Sequence, residues 1–347
     1  MLGLHKDNLG MTQARRLSQF FTNRRAAAKL VQMTQQWLAK QGVRNPMFVE
    51  PSAGDAAFFD ALPAGRRVGV EVDPALVRKH GFVLTDLNRG GFLSLTARDL
   101  GLHQVPKSQI VVIGNPPYSQ PRDAGRSKNI ALDFVNHAAE LGDTVVMILG
   151  NTFRRPTTQS KVARHMHLVL DRDVPSNLYT LDGKPHKVHT VFQIWQAKYD
   201  RQGRGVPRRE SKLLSLVKNG EWGGDWRYVK STDPAANVRI CKWGSHATVG
   251  RVDGPAATRQ KVQENRRKYA AKQRQGGRTS FNPDQTHYYI AAAYPEDTVR
   301  RFRARKHLFE ALAKDRTMGN NPDLTLADMV AIFLLPPTKR YVNGHWV

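Results

Sequence analysis

Residues 48–62 read FVEPSAGDAAFFDAL, an apolar run that leads through a glycine-bearing turn into a helix-like segment. The same pattern of a short, β-branched apolar run followed by a turn or a helix-like segment is found repeatedly in the first 200 residues. We interpret these runs as strands at 47–49, 68–72, 82–84, 110–113, 145–149 and 188–195, after a helix at 18–38. Strands alternating with helices predict a doubly wound α/β fold with a mostly parallel sheet.

Carboxylates come where three successive predicted strands end: Glu50, Glu71 and Asp86. The carboxyl ends of parallel strands share one edge of a sheet, so these side chains are expected to line one crevice. The spacing from Gly54 to Glu71 is close to the roughly 20 residues at which an acid reaches ribose hydroxyls in nucleotide-binding folds. An acidic lining suits a cationic ligand better than a pyrophosphate. We therefore predict S-adenosylmethionine as the cofactor, with Glu50 near its methionine end, Glu71 at its ribose and Asp86 at its adenine.

The motif Asn115-Pro116-Pro117-Tyr118 directly follows the run QIVVIG. Proline fixes φ and removes a backbone donor, so two prolines leave carbonyl groups that no helix consumes. The side-chain oxygen of Asn115 and the carbonyl of Pro116 are placed to accept both N–H bonds of an aromatic amine and to aim its lone pair. Tyr118 offers a flat face for a base. The alternative is a proline-rich turn that merely ends a strand.

This order of motifs resembles the amino-group methyltransferases, in particular the gamma-group DNA adenine N6-methyltransferases of restriction and phage systems, which carry an NPPY motif. The resemblance covers roughly residues 19–196. It implies a Rossmann-like methyltransferase fold, S-adenosylmethionine as cofactor, and methyl transfer to the N6 amine of a flipped adenine. Phe20-Phe21-Thr22 looks like the N-terminal motif with which this family touches its cofactor.

The family's site residues are carried over position by position. The catalytic motif falls on Asn115, Pro116, Pro117 and Tyr118, and the cofactor-binding positions fall on Phe21, Thr22, Glu50, Pro51, Ala53, Gly54, Glu71, Asp86 and Asn115. The second aromatic that sandwiches the base falls on Tyr179, with Phe192 as the alternative; for both, a core aromatic is the competing interpretation. Two positions depart from the family: Ala56 where a second glycine is frequent, and Gln109 where an acid is common.

The overall charge points to a polyanionic partner. The chain has 54 Lys and Arg against 29 Asp and Glu, a formal net charge of +25. Such an excess is the electrostatic footprint of a nucleic-acid binder, although solvated charge or an acidic lipid or protein partner remains an alternative. The run Arg266-Arg267-Lys268 is a candidate phosphate contact, or the solvent-facing side of a helix.

The composition changes near residue 199. We expect a catalytic domain at 1–198 and a basic C-terminal nucleic-acid-binding or target-recognition region at 199–347, with the polar stretch 200–210 as a linker or mobile loop. The C-terminal region is either a small second domain or an extension that wraps the first domain. Four aromatics in this region are candidate stacking platforms for bases, or alternatively a small β core: Trp222, Trp226, Tyr228 and Trp243. The single cysteine, Cys241, excludes intramolecular disulfides.

The predicted function is therefore methyl transfer to adenine N6 in DNA. RNA adenine methylation and protein glutamine methylation share the NPPY signature and are the alternatives, followed by a non-catalytic nucleic-acid-binding scaffold. DNA is preferred to RNA because of the motif order and the N-terminal FFT. No metal is required by this chemistry, no apolar run reaches the roughly 18 residues of a membrane helix, and the expected location is the cytoplasm of a bacterium or a phage-infected cell, or a eukaryotic nucleus or organelle.

Overall fold

The computed structural model describes residues 21–118, 129–175, 179–181, 184–186, 188–219, 225–242, 249–252, 287–315, 324–336, 338, 341–342 and 345–346. The chain divides into two compact units. The first comprises the described residues up to Phe153 together with 158–209, and the second comprises 154–157 and the described residues from Glu210 onward. The first unit thus extends past residue 198, where we expected the catalytic domain to end.

The first unit contains two sheets. Its strands are β1 (Phe21–Thr22), β2 (Met47–Glu50), β3 (Arg67–Glu71), β4 (Val83–Leu84), β5 (Ile110–Gly114), β6 (Thr144–Gly150), β7 (Met166–Val174), β8 (Tyr179–Leu181), β9 (Lys184–His186) and β10 (Thr190–Ala197). The large sheet has seven strands in the order β4-β3-β2-β5-β6-β10-β7, and the small one has the order β1-β8-β9.

The large sheet is doubly wound. Strands β4, β3, β2, β5 and β6 run parallel, and the strand order reverses between β2 and β5. Only β10 runs antiparallel to both of its neighbours, β6 and β7. The prediction of a mostly parallel, doubly wound α/β sheet is confirmed. In such a sheet, ligands bind beyond the carboxyl ends of the strands at the switch point, here the ends of β2 and β5.

The central strands are continuous apolar runs because helices and loops cover both faces of the sheet. Every residue of β5 and of β6 is buried. Strands buried on both faces read as uninterrupted Val, Ile and Leu rather than as an alternation. This explains why these two strands could be recognised from the sequence.

Three of the four described α-helices before residue 200 begin at a side-chain N-cap: Asn23, Asp73 and Asn129. The four helices are α1 (Arg24–Lys40), α2 (Pro74–His80), α3 (Ile130–Leu141) and α4 (Pro156–Gln159). The expected start of the first helix at Ser18 is wrong, because Phe21 and Thr22 form strand β1 and the Asn23 side chain caps α1 by accepting from the Arg25 N–H at 2.9 Å. An asparagine cap satisfies N–H groups that a helix otherwise leaves unpaired.

The sequence analysis missed strand β7 and the small sheet. The nine residues of β7 alternate poorly, since its middle carries Asp171, Arg172 and Asp173 at half-buried or exposed positions. Strands β1, β8 and β9 are two or three residues long. Neither pattern carries a period-2 signal strong enough to predict a strand.

The second unit is a separate α/β module. It has an antiparallel sheet in the order β11-β14-β12-β13 and a two-stranded ribbon. Aromatic side chains form its core, and Trp226, Phe302 and Phe333 pack edge to face or tilted. Its elements are α5 (Lys212–Asn219), β11 (Trp226–Val229), β12 (Val238–Cys241), β13 (Val249–Arg251), β14 (His287–Ala292), α6 (Pro295–Arg303), α7 (Lys306–Asp315), α8 (Leu326–Leu334), β15 (Tyr341–Val342) and β16 (His345–Trp346).

Of the two interpretations of Trp226, the core aromatic is the one observed, since its side chain is 3% exposed within this cluster. Trp222, Trp243 and the run Arg266-Arg267-Lys268 lie outside the described residues. Among the helices that are described, none combines the length and the apolar character needed to cross a bilayer. The described Asp, Glu, His and Cys residues form no group of three that could hold a metal ion.

Candidate active site

The turn after β2 and the motif after β5 lie against each other. A Cβ atom added to Gly114 would meet Pro51 Cδ at 3.3 Å and Glu50 Cγ at 3.4 Å, so the lack of a side chain permits this close approach. The Ser52 hydroxyl donates to the backbone carbonyl of Asn115 at 3.0 Å. The first carboxylate of the predicted cofactor loop and the Asn-Pro-Pro-Tyr motif are therefore neighbours at the switch point.

A chain of polar side chains crosses this edge. Asn115 Nδ2 donates to Thr22 Oγ1 at 3.3 Å, and the Tyr118 hydroxyl donates to Asn115 Oδ1 at 2.5 Å. Tyr118 is also hydrogen-bonded to Tyr179, whose hydroxyl lies 2.6 Å from Thr190 Oγ1. Because Thr22 can accept the amide N–H, the Asn115 side chain is held with its oxygen toward Tyr118. The chain links the N-terminal strand, the motif and β10.

Burial keeps the two tyrosines of this network protonated. Burial raises the pKa of Tyr118 well above its ordinary value, and the neighbouring Tyr179 raises it further. Burial likewise raises the pKa of Tyr179 to about 12. Both phenols therefore stay neutral at physiological pH, and the Tyr118 hydroxyl remains available as a donor to Asn115.

Pro116 presents the second predicted acceptor. Within the described part of the chain, no group donates a hydrogen bond to the Pro116 carbonyl, although the residue is buried. Buried carbonyl groups are seldom left without a donor. A ligand N–H at this position would satisfy the carbonyl.

Glu50 is the most unusual ionisable group of the first unit. Its side chain is 2% exposed and accepts a backbone hydrogen bond from Phe59, whereas Oε2 has no partner among the described residues. Burial raises the pKa of this carboxyl well above its ordinary value, and the nearby carboxyls of Asp55, Glu71 and Asp60 raise it further. A buried acid in an acidic neighbourhood is unfavourable as an anion unless a cation accompanies it.

Glu71 ties the glycine turn to the end of β3. Its Oε2 accepts from the Gly54 N–H at 2.8 Å, and its Oε1 accepts from the N–H groups of Val72 at 2.7 Å and Asp73 at 3.0 Å. Three backbone donors stabilise the ionised carboxylate. The acid that we predicted as a ribose ligand thus also fixes the shape of the loop that it faces.

The departure from the family at Ala56 has a structural counterpart. Gly54 and Ala56 both have positive φ, at 53° and 69°. A residue with a Cβ in this left-handed region costs about 1–2 kcal/mol. Ala56 is fully buried, so the surrounding packing holds it in the conformation that a second glycine would adopt without strain.

The remaining predicted residues are placed less directly. Asp86 is exposed and caps the turn after β4, with its side chain accepting from the Asn88 N–H at 2.8 Å. Ala53 is buried and donates its N–H to Val70 in β3. Phe192 is fully buried in β10, as is the Tyr179 ring in β8. Tyr179 lies in the hydrogen-bonded network, whereas Phe192 makes no hydrogen bond or ring contact with it among the described residues.

The sequence analysis overlooked Asn151. This residue follows β6 as Asn115 follows β5, since the two neighbouring strands end in Gly114-Asn115 and Gly150-Asn151. Asn151 is 6% exposed, and its buried Oδ1 has no hydrogen-bond partner in the part of the chain that the structure describes. The repeated Gly-Asn after an apolar run was the signal that could have identified it. Its oxygen is a second amide acceptor at the ligand-binding edge of the sheet.

No family model and no curated protein sequence matches the chain. Three solved structures illustrate its likeness to known proteins. A candidate RNA methyltransferase from Pyrococcus horikoshii is 18% identical over 54% of this chain and 90% of its own, with a TM-score of 0.37. The M protein of the type I restriction enzyme EcoKI is 13% identical over 62% of this chain and 50% of its own, with a TM-score of 0.36. A candidate methyltransferase in complex with SAH, SMU.776, is 12% identical over 44% of this chain and 46% of its own, with a TM-score of 0.30.

Proposed function

We propose that the chain is an S-adenosylmethionine-dependent methyltransferase that acts on the N6 amine of adenine in DNA. The observation that carries the proposal is that two features lie on adjoining segments at the switch point. One is the buried Glu50 carboxyl, whose Oε2 is unsatisfied among the described residues, and the other is the amide corner of Asn115 and Pro116, which directly follows the Gly114 that packs against Glu50. A cation site and an amine site side by side are what methyl transfer from a sulfonium to an amine requires.

The residues fit the cofactor. Glu50 Oε2 lacks a donor, and an ammonium group would supply both a hydrogen bond and the missing charge. Glu71 holds the turn at Gly54 in place, and the end of β2 packs directly against Gly114. When bound, S-adenosylmethionine supplies a methyl group that is already activated by the positive sulfur. The chain's own task is to hold this group and to orient the acceptor.

The amide corner orients the acceptor. The Asn115 oxygen and the Pro116 carbonyl together accept two N–H bonds, which favours an amine nitrogen with its lone pair aimed at the methyl group. Thr22 fixes the side chain of Asn115 because it receives the amide N–H. The Tyr118 hydroxyl now bonds the Asn115 oxygen, so the incoming amine replaces it there. The amine transfers its surplus proton to solvent after the methyl group has moved.

The choice of DNA rests on charge and on the motif order. A net charge of +25 favours a phosphate backbone over a protein substrate, since counterion release strengthens nucleic-acid binding. An adenine in a duplex must leave the base stack before its amine can reach the corner. The C-terminal region beyond residue 199 is proposed to recognise the target. RNA adenine and protein glutamine are the competing acceptors.

A direct competition between acceptors tests the proposal. The protein is incubated with radiolabelled S-adenosylmethionine and a mixture of duplex DNA, structured RNA and a recombinant release factor. We expect label in DNA, recovered as N6-methyladenine after digestion. Label found in RNA alone would show that RNA, and not DNA, is the acceptor. Label confined to protein would contradict a nucleic-acid substrate altogether.

The Asn115→Ala variant separates chemistry from binding. Removing one preorganised hydrogen-bond acceptor of this kind lowers the rate by roughly 100-fold or more. Calorimetric titration should show cofactor affinity close to wild type, because Glu50 and the glycine turn are untouched. A variant that retains the wild-type rate would show that Asn115 does not orient the acceptor.

A further inference from the structure

A basic groove lies next to the candidate active site. It is a cavity of about 330 Å³ between the start of α1 and the end of β7. Asn23, Arg25, Lys29 and Leu30 line one wall, and Val174 and Pro175 line the other. The groove combines two cations with an apolar surface.

The two cations of the groove, Arg25 and Lys29, are not used in ion pairs among the described residues. Both residues are exposed. The adjacent Arg24 differs, because it pairs with Asp60 and donates to the Asp55 carbonyl at 2.6 Å. Like charges four residues apart on a helix are mutually destabilising unless an anion lies between them. An anion bound between the two side chains would relieve this repulsion.

Both walls of the groove adjoin the hydrogen-bonded network of the site. Asn23 directly follows Thr22, whose hydroxyl accepts from the Asn115 amide. Val174 is paired with Thr190, whose hydroxyl is 2.6 Å from that of Tyr179. One residue of each wall, Asn23 and Val174, thus adjoins the network. The groove is therefore a candidate path for the sugar and phosphate next to a base at Asn115.

We propose that this groove binds the phosphodiester backbone of the DNA strand that carries the target adenine. Arg25 and Lys29 contact phosphates that flank the flipped nucleotide, and Leu30, Val174 and Pro175 pack against deoxyribose. The inference deepens the proposed function and rests on it for the identity of the strand. Phosphate contacts of this kind position a nucleic acid without reading its sequence.

The test compares matched charge removals on one helix. Arg25→Ala, Lys29→Ala and the double variant are compared with Lys40→Ala, which removes an exposed charge about 16 Å further along α1. Alanine favours the helix, so the fold is preserved. The labelled DNA duplex contains the adenine that the wild-type protein methylates. Binding to this duplex is measured by fluorescence anisotropy over a range of salt concentrations. Each phosphate contact contributes about 0.9 to the magnitude of the slope of log affinity against log salt concentration. The slope of the double variant should therefore be smaller in magnitude by about 1–2, whereas the slope of Lys40→Ala should equal that of the wild type.

A second duplex locates the contact. Uncharged methylphosphonate linkages replace the phosphates that flank the target adenine. The wild-type protein should bind this duplex about tenfold more weakly than the natural one, whereas the double variant should bind the two equally. The proposal is overturned if the methylphosphonate linkages weaken binding equally for the wild type and the double variant. It is also overturned if the salt slope of the double variant matches that of Lys40→Ala. If the groove variants instead impair methylation of a protein substrate and leave DNA binding intact, the groove binds an acidic peptide and our assignment is wrong.

The two proposals fail separately. If the wild-type protein methylates no nucleic acid, but the double variant shows the expected loss of salt slope, the groove proposal stands and the proposed function is wrong. If the wild-type protein methylates adenine, but the groove variants bind DNA as Lys40→Ala does, the proposed function stands and the groove proposal is wrong.

Discussion

At the scale of single residues, Glu50 connects stability to ligand binding. A carboxyl whose pKa is raised by folding favours the protonated form in the native state. Its stabilising contribution is complete below the ordinary glutamate pKa of about 4.3 and is lost as the pH rises through the higher native value. At neutral pH without cofactor, Glu50 is therefore a destabilising group at a site built for a cation, as expected where function and stability conflict.

We predict that Glu50→Gln raises the thermal unfolding temperature at neutral pH in the absence of cofactor and flattens its dependence on pH. The same change should weaken S-adenosylmethionine binding about tenfold or more, because a buried hydrogen bond to a charged group contributes about 1.5–3 kcal/mol. Calorimetry and thermal unfolding at several pH values measure the two effects. Glu140→Gln, at an exposed glutamate, is the control. Unchanged cofactor affinity in Glu50→Gln would remove Glu50 from the binding site.

At the scale of elements, Arg208 fixes the polar stretch 200–210 that we interpreted as a linker or mobile loop. Its guanidinium donates to the carbonyls of Gln159 at 2.7 Å, Val162 at 3.0 Å, Ala163 at 2.7 Å and also Met166. These carbonyls follow α4, where a helix end leaves acceptors unpaired. Residues 200–209 therefore belong structurally to the first unit, and the Arg208 side chain supports the backbone bonds that the N–H groups of Val206 and Arg208 donate to Lys198 and Arg164, each at 2.7 Å.

In the Arg208→Ala variant, the segment 159–166 should lose the hydrogen bonds from the Arg208 guanidinium and become more mobile. Loss of several charge-assisted hydrogen bonds costs about 2 kcal/mol or more, so amide hydrogens at 159–166 should exchange about tenfold faster or more. Hydrogen exchange with mass spectrometry measures the rate directly. Arg209→Ala, at the exposed neighbouring position, should exchange at the wild-type rate. Equal exchange in the two variants would show that Arg208 does not hold the segment.

A substitution of Trp226 tests whether this residue belongs to the core of the second unit or stacks on a base. Its ring centroid lies 5.7 Å from that of Phe302 and 5.1 Å from that of Phe333, and aromatic pairs of this geometry add about 0.5–1.5 kcal/mol to burial. We predict that Trp226→Phe lowers the unfolding temperature but leaves DNA affinity unchanged. A loss of affinity at temperatures where the variant is fully folded would restore Trp226 as a base-stacking residue.

At the scale of the whole molecule, the positive charge governs association. A net charge of +25 predicts DNA binding that weakens steeply with salt. For six or more phosphate contacts, the affinity should fall about 10³-fold or more between about 50 and 200 mM salt. Anisotropy with the full chain checks this, and the cofactor titration at the same salts is the control because S-adenosylmethionine has no phosphate. A flat response of DNA binding would show that the charge excess serves another purpose.

Much of the site was predictable because its residues follow strands. Glu50, Glu71 and Asn115 each stand where an apolar run ends, and parallel strands bring their carboxyl ends to one edge. The repeated Gly-Asn at 114–115 and 150–151 carried the same information, but Asn151 was overlooked. Tyr179 was placed near the site by resemblance, and whether it stacks on a base stays a prediction.

The sequence by itself determined the doubly wound class and the residues at the tips of β2, β3 and β5, because hydrophobic runs and turn residues act locally. Only the tertiary structure decided which side chains meet across long stretches of chain. The Asn115 amide is paired with Thr22, 93 positions away, and Arg24 pairs with Asp60 while Arg25 faces the groove. Such contacts depend on how elements pack together, and no local propensity encodes them.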